Sequence, residues 1–117
     1  MTFAELRLRR LAAISGTILD ENHVGMPGLT VVAYPARIPL RMAASTKSDD
    51  RGRYRIGGLA RGRYYVRTAA HQLEDGSGLL PTFSPESVAA KEARLLAVDV
   101  DQEAAEVDIR PVPGKLV

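Results

Sequence analysis

The sequence contains no cysteine, and only 5% of its 117 residues are aromatic. Without cysteine the chain cannot form disulfides, a thiolate-bound zinc or iron–sulfur site, or a thiol nucleophile. No apolar run approaches the ~18 residues that a membrane-spanning helix needs, so we expect no direct membrane insertion. The N-terminal stretch MTFAELRLRRLAAISG is basic, but its apolar part is too short and too interrupted for a signal peptide.

The remaining composition is typical of one globular domain. Hydrophobic residues make up 45% of the chain and charged residues 26%. The net charge of +2 is unevenly distributed along the sequence. Residues 1–71 hold 12 Lys and Arg against 5 Asp and Glu, whereas residues 72–117 hold 4 against 9. Such an uneven distribution of charge would favour acidic partners. Strands from both halves of a sheet protein intermix in space, however, so the two halves of the sequence need not form two halves of the surface.

The apolar residues recur at every second position, which predicts β-strands. The stretch around Ile14, Gly16 and Ile18 alternates in this way and ends at a polar turn, residues 20–23. LTVVAYP (29–35) predicts a second strand and MAASTKS (42–48) a third. RLLAVDVD (94–101) and AEVDIRPV (105–112) predict the last two strands, joined by a turn at 101–104. Before these two strands, Ser84 and Pro85 could begin a short helix as its N-cap and first residue.

The tetrapeptide RGRY occurs twice in the stretch RGRYRIGGLARGRYYVR, residues 51–67. Interleaved arginine, glycine and tyrosine would suit a nucleic-acid surface, but period 2 gives a structural explanation. In each copy the glycine permits a turn, and Tyr54 or Tyr64 then enters the core. The opposite strand faces carry the residues that remain available for binding: Arg53, Arg55, Arg63, Tyr65 and Arg67. With few aromatics and a small net charge, we expect no nucleic-acid partner.

Several segments resemble one family, the carboxypeptidase regulatory-like domain. ISGTILDEN and MPGLTVVAY, followed by STKSDDRGRYRIGGLARGRYYVRTAA, are similar to its succession of turn glycines, core tyrosines and turn aspartates. The matching positions are Gly16, Ile18, Asp20, Pro27, Gly28, Val31, Asp49, Gly52, Tyr54, Ile56, Leu59, Gly62, Tyr64 and Val66. His23 stands where the family usually has a turn glycine, so a left-handed backbone is expected at this histidine.

The resemblance implies an all-β, seven-stranded Greek-key β-sandwich of the prealbumin (transthyretin-like) type, grouped with carbohydrate-binding-like folds. We expect this domain at residues 12–113, with an N-terminal extension or linker at 1–11 and a C-terminal tail at 114–117. The family positions are structural and bring no catalytic residue with them. The resemblance therefore implies an accessory module of a larger extracytoplasmic bacterial protein in the periplasm, the cell envelope or the medium, with other domains or proteins as partners.

Enzymatic alternatives find little support in the sequence. His23 and His71 are isolated and form no metal-ligand spacing, no GxSxG nucleophile motif occurs, and GGLARG is not a phosphate loop. We therefore predict no catalytic residues, no metal and no cofactor, with an enzyme on a transthyretin-like sandwich as the distant alternative.

A second function follows from the five Arg and Tyr residues, which would form one basic strip if their two strands lay close together. Such a strip would bind carbohydrate or an acidic polymer through bidentate arginine contacts. A solvated outer sheet face explains the same pattern more simply.

Overall fold

The computed structural model describes residues 11–37 and 39–115, and its regular structure consists almost entirely of short strands. The strands are β1 (Ala12–Thr17), β2 (Thr30–Pro35), β3 (Ala44–Lys47), β4 (Arg53–Leu59), β5 (Gly62–Thr68), β6 (His71–Gln72), β7 (Gly78–Leu79), β8 (Thr82–Phe83), β9 (Leu96–Val98), β10 (Glu103–Ala104) and β11 (Pro113–Gly114). A single turn of 3-10 helix, Ala90–Glu92, precedes β9. The predicted extension at 1–11 and tail at 114–117 lie largely outside the described residues.

Two main sheets face each other across one core. In the first sheet β1 is central, antiparallel to β4 and parallel to β10. The second sheet has the order β3-β2-β5-β8, and β9 also pairs with β5. A small third sheet has the order β11-β7-β6. The prediction of an all-β sandwich is confirmed, although the described residues form more strands than the seven predicted, because residues 71–83 contribute β6, β7 and β8 where no strand was expected.

Strict alternation of side chains places the core between the two sheets. In β4, Tyr54 and Ile56 are buried while the intervening arginines are exposed. In β5, Tyr64, Val66 and Thr68 are likewise buried. Since each sheet turns its apolar face towards the other, Tyr54, Ile56, Tyr64 and Val66 pack into one cluster, and hydrophobic burial stabilises the sandwich.

The turn at residues 20–23 is held by one aspartate. The Oδ1 atom of Asp20 accepts hydrogen bonds from the backbone N–H groups of Asn22 (2.8 Å) and Val24 (2.9 Å). His23 then adopts a φ of 62°, so the left-handed backbone predicted for it is confirmed. The aspartate bonds compensate for a conformation that a non-glycine residue seldom adopts.

The helix predicted to start at Ser84 does not form there. The Ser84 hydroxyl donates instead to the carbonyl oxygen of Asp108, at 2.9 Å, and Ser84 is buried. A side chain bonded across the fold cannot cap a local helix, and the only helical turn among the described residues lies at Ala90–Glu92.

The C-terminal strands also differ from the prediction. β9 covers only Leu96–Val98 of the strand predicted at 94–101, and the strand predicted at 105–112 is reduced to an isolated bridge between Ile109 and Ile18. Glu103 and Ala104 pair with β1 rather than forming a turn. The chain continues along β1, where Val107 N–H donates to Ser15 O (2.9 Å) and Ile109 N–H to Thr17 O (3.0 Å). The turn moves to residues 99–102, closed by the N–H of Gln102 donating to Asp99 O at 3.1 Å. Residues 103–109 therefore run parallel to β1 and cover one edge of the first sheet.

Candidate ligand-binding surface

The five candidate residues do not form one strip, because β4 and β5 belong to different sheets. Arg53 and Arg55 lie on the outer face of the first sheet, and both are exposed. Arg63, Tyr65 and Arg67 lie on the outer face of the second sheet. The chain crosses from one sheet to the other in the connection at Ala60 and Arg61. The candidates are thus divided between opposite surfaces of the sandwich. β4 and β5 do not lie side by side in one sheet, as a single basic strip would require.

On the first sheet, Arg55 is already engaged within the fold. Its Nε atom lies 2.8 Å from Oε1 of Glu103, and the Ser15 hydroxyl donates to Oε2 of the same carboxylate at 2.7 Å. The Ser15 hydroxyl and then the Arg55 guanidinium hold the pKa of Glu103 below its usual range. This network spans β4, β1 and β10, so Arg55 joins three strands and is less available to a ligand than its exposure suggests.

On the second sheet, Arg67 lies between two aromatic rings. The centre of its guanidinium is 5.0 Å from the centroid of the Tyr34 ring and 5.2 Å from that of Phe83. Its Nη2 atom donates a hydrogen bond to the Tyr34 hydroxyl at 2.9 Å. Tyr65 packs edge-on against Phe83, with centroids 6.0 Å apart and an interplanar angle of 77°. We call Tyr34, Tyr65, Arg67 and Phe83 the Tyr–Arg platform.

The register of the second sheet builds this platform. Tyr34 of β2 pairs with Tyr65 of β5, and Arg67 pairs with Phe83 of β8. Cross-strand partners point to the same side of a sheet, so the four side chains meet on its outer face. Cation–π contacts at partly exposed sites contribute about 0.5–1 kcal/mol each. The contacts hold the guanidinium in place, which lowers the entropy that binding a ligand would cost.

Tyr34 and Phe83 are the members of the platform that sequence reasoning missed as site residues. Tyr34 lies in the strand predicted at 29–35, and neither residue was connected with Arg67. A signal was present for Tyr34, because in β2 it shares the outward face with Thr30 and Val32. Phe83 gave none, since it lies in a strand of two residues and is almost completely buried.

The histidines lie apart from this platform. His23 contacts Arg110, whose Nη2 lies 2.8 Å from both ring nitrogens. Within residues 11–37 and 39–115, no three His, Asp or Glu side chains are grouped as a metal site would require. In the same ranges, no helix combines the length and the apolar character needed to cross a membrane.

Comparison with known proteins identifies the class to which this sandwich belongs. The family model of the carboxypeptidase regulatory-like domain matches residues 13–110. The chain therefore belongs to the carboxypeptidase regulatory-like domain family, as its sequence motifs predicted. A comparison with curated protein sequences found no match.

Among solved structures, the chain is similar to BcpA, the major pilin subunit of Bacillus cereus. The TM-score is 0.58 at 16% sequence identity, over 90% of this chain and 31% of the pilin chain. A second structure, of a variant of that subunit, gives a TM-score of 0.52 at 17% identity, over 89% of this chain and 30% of the other. The chain thus spans about a third of the pilin's length, and at these identities the likeness concerns the fold.

Proposed function

We propose that this chain is a non-catalytic structural or interaction module of a larger extracytoplasmic bacterial protein. The observation that supports this proposal is that both tyrosines of the family pattern, Tyr54 and Tyr64, serve the fold itself. Tyr54 donates its hydroxyl hydrogen bond to Val107 O at 2.5 Å, and Tyr64 donates to Ala60 O at 2.6 Å. Both rings are buried in the core. The most characteristic polar groups of the family pattern therefore stabilise the fold and are not presented to a substrate.

The similarity to the pilin subunit supports the modular and extracytoplasmic parts of the proposal. A chain that corresponds by fold to about a third of a major pilin subunit suits a role as one unit in a series of domains.

An antibody raised against residues 11–115 tests this proposal in fractionated cells of the producing organism. We expect the antibody to detect a polypeptide longer than 117 residues in the envelope or in the medium. A periplasmic marker and a cytosolic marker serve as fractionation controls. Detection in the cytosol alone would contradict the extracytoplasmic role, and a product of 117 residues alone would contradict the larger protein.

A second candidate function, binding of carbohydrate or an acidic polymer, is favoured by the Tyr–Arg platform. Tyr34, Tyr65 and Arg67 are partly exposed, and Arg67 is held between rings with a single hydrogen bond, to Tyr34, among its described contacts. A guanidinium has five N–H donors in a planar fork, which leaves donors for a carboxylate or for sugar hydroxyls. Arg63, two residues before Tyr65, extends the same outer face.

Replacing Arg67 with alanine tests the platform on a glycan array and on a heparin column at graded salt. We expect the wild-type protein to be retained by at least one glycan class, and Arg67→Ala to weaken retention about tenfold, because one or more charge-assisted hydrogen bonds are lost. Arg53→Ala is the matched control, since Arg53 is exposed on the opposite sheet. Equal retention of the two variants, or no retention of the wild-type protein, would refute this function.

A further inference from the structure

One end of the sandwich gathers four arginines. Pro35 pairs with Tyr64 and Ala12 with Leu59, so the connection from β2 to β3 and the turn from β4 to β5 project from this same end. The first connection supplies Arg37 and Arg41, the second supplies Arg61, and Arg63 follows as the second residue of β5. All four arginines are exposed. Their positions 37, 41, 61 and 63 are separated in sequence and become neighbours through the register of the two sheets.

The arginines line three neighbouring depressions that share lining residues. A cleft of about 550 Å³ lies between the two connections and is lined by Arg37, Arg61 and Arg63 together with Pro35, Ala36 and Ala43. A depression of about 460 Å³ shares Pro35, Arg37 and Ala43 with this cleft and adds Arg41. A third, of about 380 Å³, shares Arg61 and Arg63 with it. We call these three depressions together the arginine groove.

Internal acidic groups neutralise only one end of the arginine groove. Among residues 11–37 and 39–115, no carboxylate lines the two larger depressions. In the smallest one, Asp99 Oδ1 lies 3.4 Å from Arg61 Nε, and the two side chains are 48% and 74% exposed. An exposed pair at this distance contributes little and exchanges readily with an external carboxylate. Arg37, Arg41 and Arg63 therefore present their charges to whatever enters the groove.

We propose that the arginine groove binds an extended acidic segment of another protein. Guanidinium groups pair bidentately with carboxylates, and four of them lining adjoining depressions match a chain with repeated Asp or Glu. Between the arginines the walls are Pro35, Ala36 and Ala43, which suit short aliphatic side chains.

The lining of the groove favours a peptide over an acidic glycan. Tyr64 is the one aromatic residue among the described residues that line the groove, and it is only 5% exposed. These residues therefore offer no ring face against which a sugar would pack. In this respect the groove differs from the Tyr–Arg platform. The inference rests on the proposed role as an interaction module and specifies the chemistry of its partner.

Fluorescence anisotropy with a labelled decapeptide of alternating Glu and Ala tests the proposal on the full chain. We expect saturable binding that weakens as salt increases, and no binding of the matched peptide of alternating Gln and Ala. Arg37→Ala and Arg61→Ala should each weaken binding by about tenfold or more. Arg37→Lys should also weaken it, because lysine keeps the charge but loses the planar fork. Arg51→Ala, at the opposite end of the sandwich, should leave affinity unchanged.

Three outcomes would overturn the proposal. The first is failure of the Glu peptide to bind while circular dichroism shows a folded protein, and the second is an equal loss of affinity in Arg51→Ala. The third is tighter binding of an oligogalacturonate of equal charge, which would assign the groove to an acidic glycan. If the antibody finds the protein in the envelope but no peptide binds, this inference fails and the proposed function stands. If the peptide binds and the protein is cytosolic, the proposed location fails instead.

Discussion

Replacing Gly52 with alanine is expected to lower the free energy of unfolding by roughly 3–5 kcal/mol, as the sum of backbone strain and overpacking. Gly52 has a φ of 79°, a conformation that residues with a Cβ atom adopt only with strain. An added Cβ would also lie 2.5 Å from Met26 N and 2.6 Å from Gly25 Cα. These are backbone atoms of the opposing loop, so relief requires moving the loop itself.

The turn that would be displaced joins two parts of the sandwich. Ile18 N–H donates to Gly52 O at 2.7 Å, and Gly52 N–H donates to Asp49 O at 3.0 Å. The first bond connects the end of β1 with the start of β4, and the second closes the turn between β3 and β4. A shift at this glycine would therefore weaken the first sheet as well as the local turn.

The substitution Gly58→Ala is the matched control for Gly52→Ala. Gly58 has a similar φ, 70°, but an added Cβ would meet no atom within 4 Å. Backbone strain alone should then cost about 1–2 kcal/mol. Urea unfolding followed by circular dichroism gives both values under identical conditions. If the two variants lose equal stability, close packing against residues 25 and 26 is not the cause.

The two RGRY copies show how far a repeated motif predicts structure. The interpretation that glycine permits a turn is confirmed for Gly52 and wrong for Gly62, whose backbone is not left-handed. Gly62 is already the first residue of β5, and the left-handed residue before that connection is Gly58. An identical tetrapeptide therefore occupies different positions relative to its turn, because the β4–β5 connection passes between sheets and the β3–β4 turn packs on the loop at residues 25–26.

Period-2 alternation predicted which side chains of each strand are buried, because burial depends only on position within that strand. Tyr54 and Ile56, or Tyr64 and Val66, follow directly from this rule. Alternation does not say which strand lies beside which. The two-residue connection between β4 and β5 is short enough for a hairpin, yet the strands separate into different sheets. The division of the candidate arginines between two surfaces is a consequence of that separation.

Because alternation does not indicate which strands are neighbours, neither the Tyr–Arg platform nor the arginine groove could be predicted as a site. Tyr34, Arg67 and Phe83 come from three strands, and only the pairing of β2 and β8 with β5 brings them together. The local sequence pattern does not indicate which strands pair. Alternation identified Tyr65 and Arg67 as outward-facing and also contained a signal for Tyr34, but it gave no indication of Phe83.

Replacing Tyr54 with alanine is expected to lower the free energy of unfolding by about 3–5 kcal/mol, in the range of large core truncations. The ring is 4% exposed and packs in the main cluster. Its hydroxyl donates to Val107 O at 2.5 Å, and burial raises the pKa of this phenol, so it remains a donor over the usual pH range. Tyr54 therefore contributes both core packing and a connection to the C-terminal segment.

Tyr54→Phe separates the two contributions, because it retains the ring and removes the hydroxyl. The loss of a buried partner for the Val107 carbonyl should cost about 1–3 kcal/mol. Since Val107 and Ile109 donate to β1 from the same segment, amide hydrogen exchange at these two residues should accelerate more than at Val31 in the second sheet.

Tyr64→Phe is the control for Tyr54→Phe, because it removes a hydroxyl that bonds only four residues away, to Ala60. It should leave the protection of Val107 and Ile109 unchanged. If Tyr54→Phe loses as much stability as Tyr54→Ala, the hydroxyl bond accounts for the whole effect and the ring contributes little. If Tyr54→Phe is as stable as the wild-type protein, the hydroxyl does not hold the C-terminal segment. An intermediate loss, with exchange faster only along residues 107–109, is the result that the structure predicts, because the same side chain fills the core and anchors the parallel edge of the first sheet.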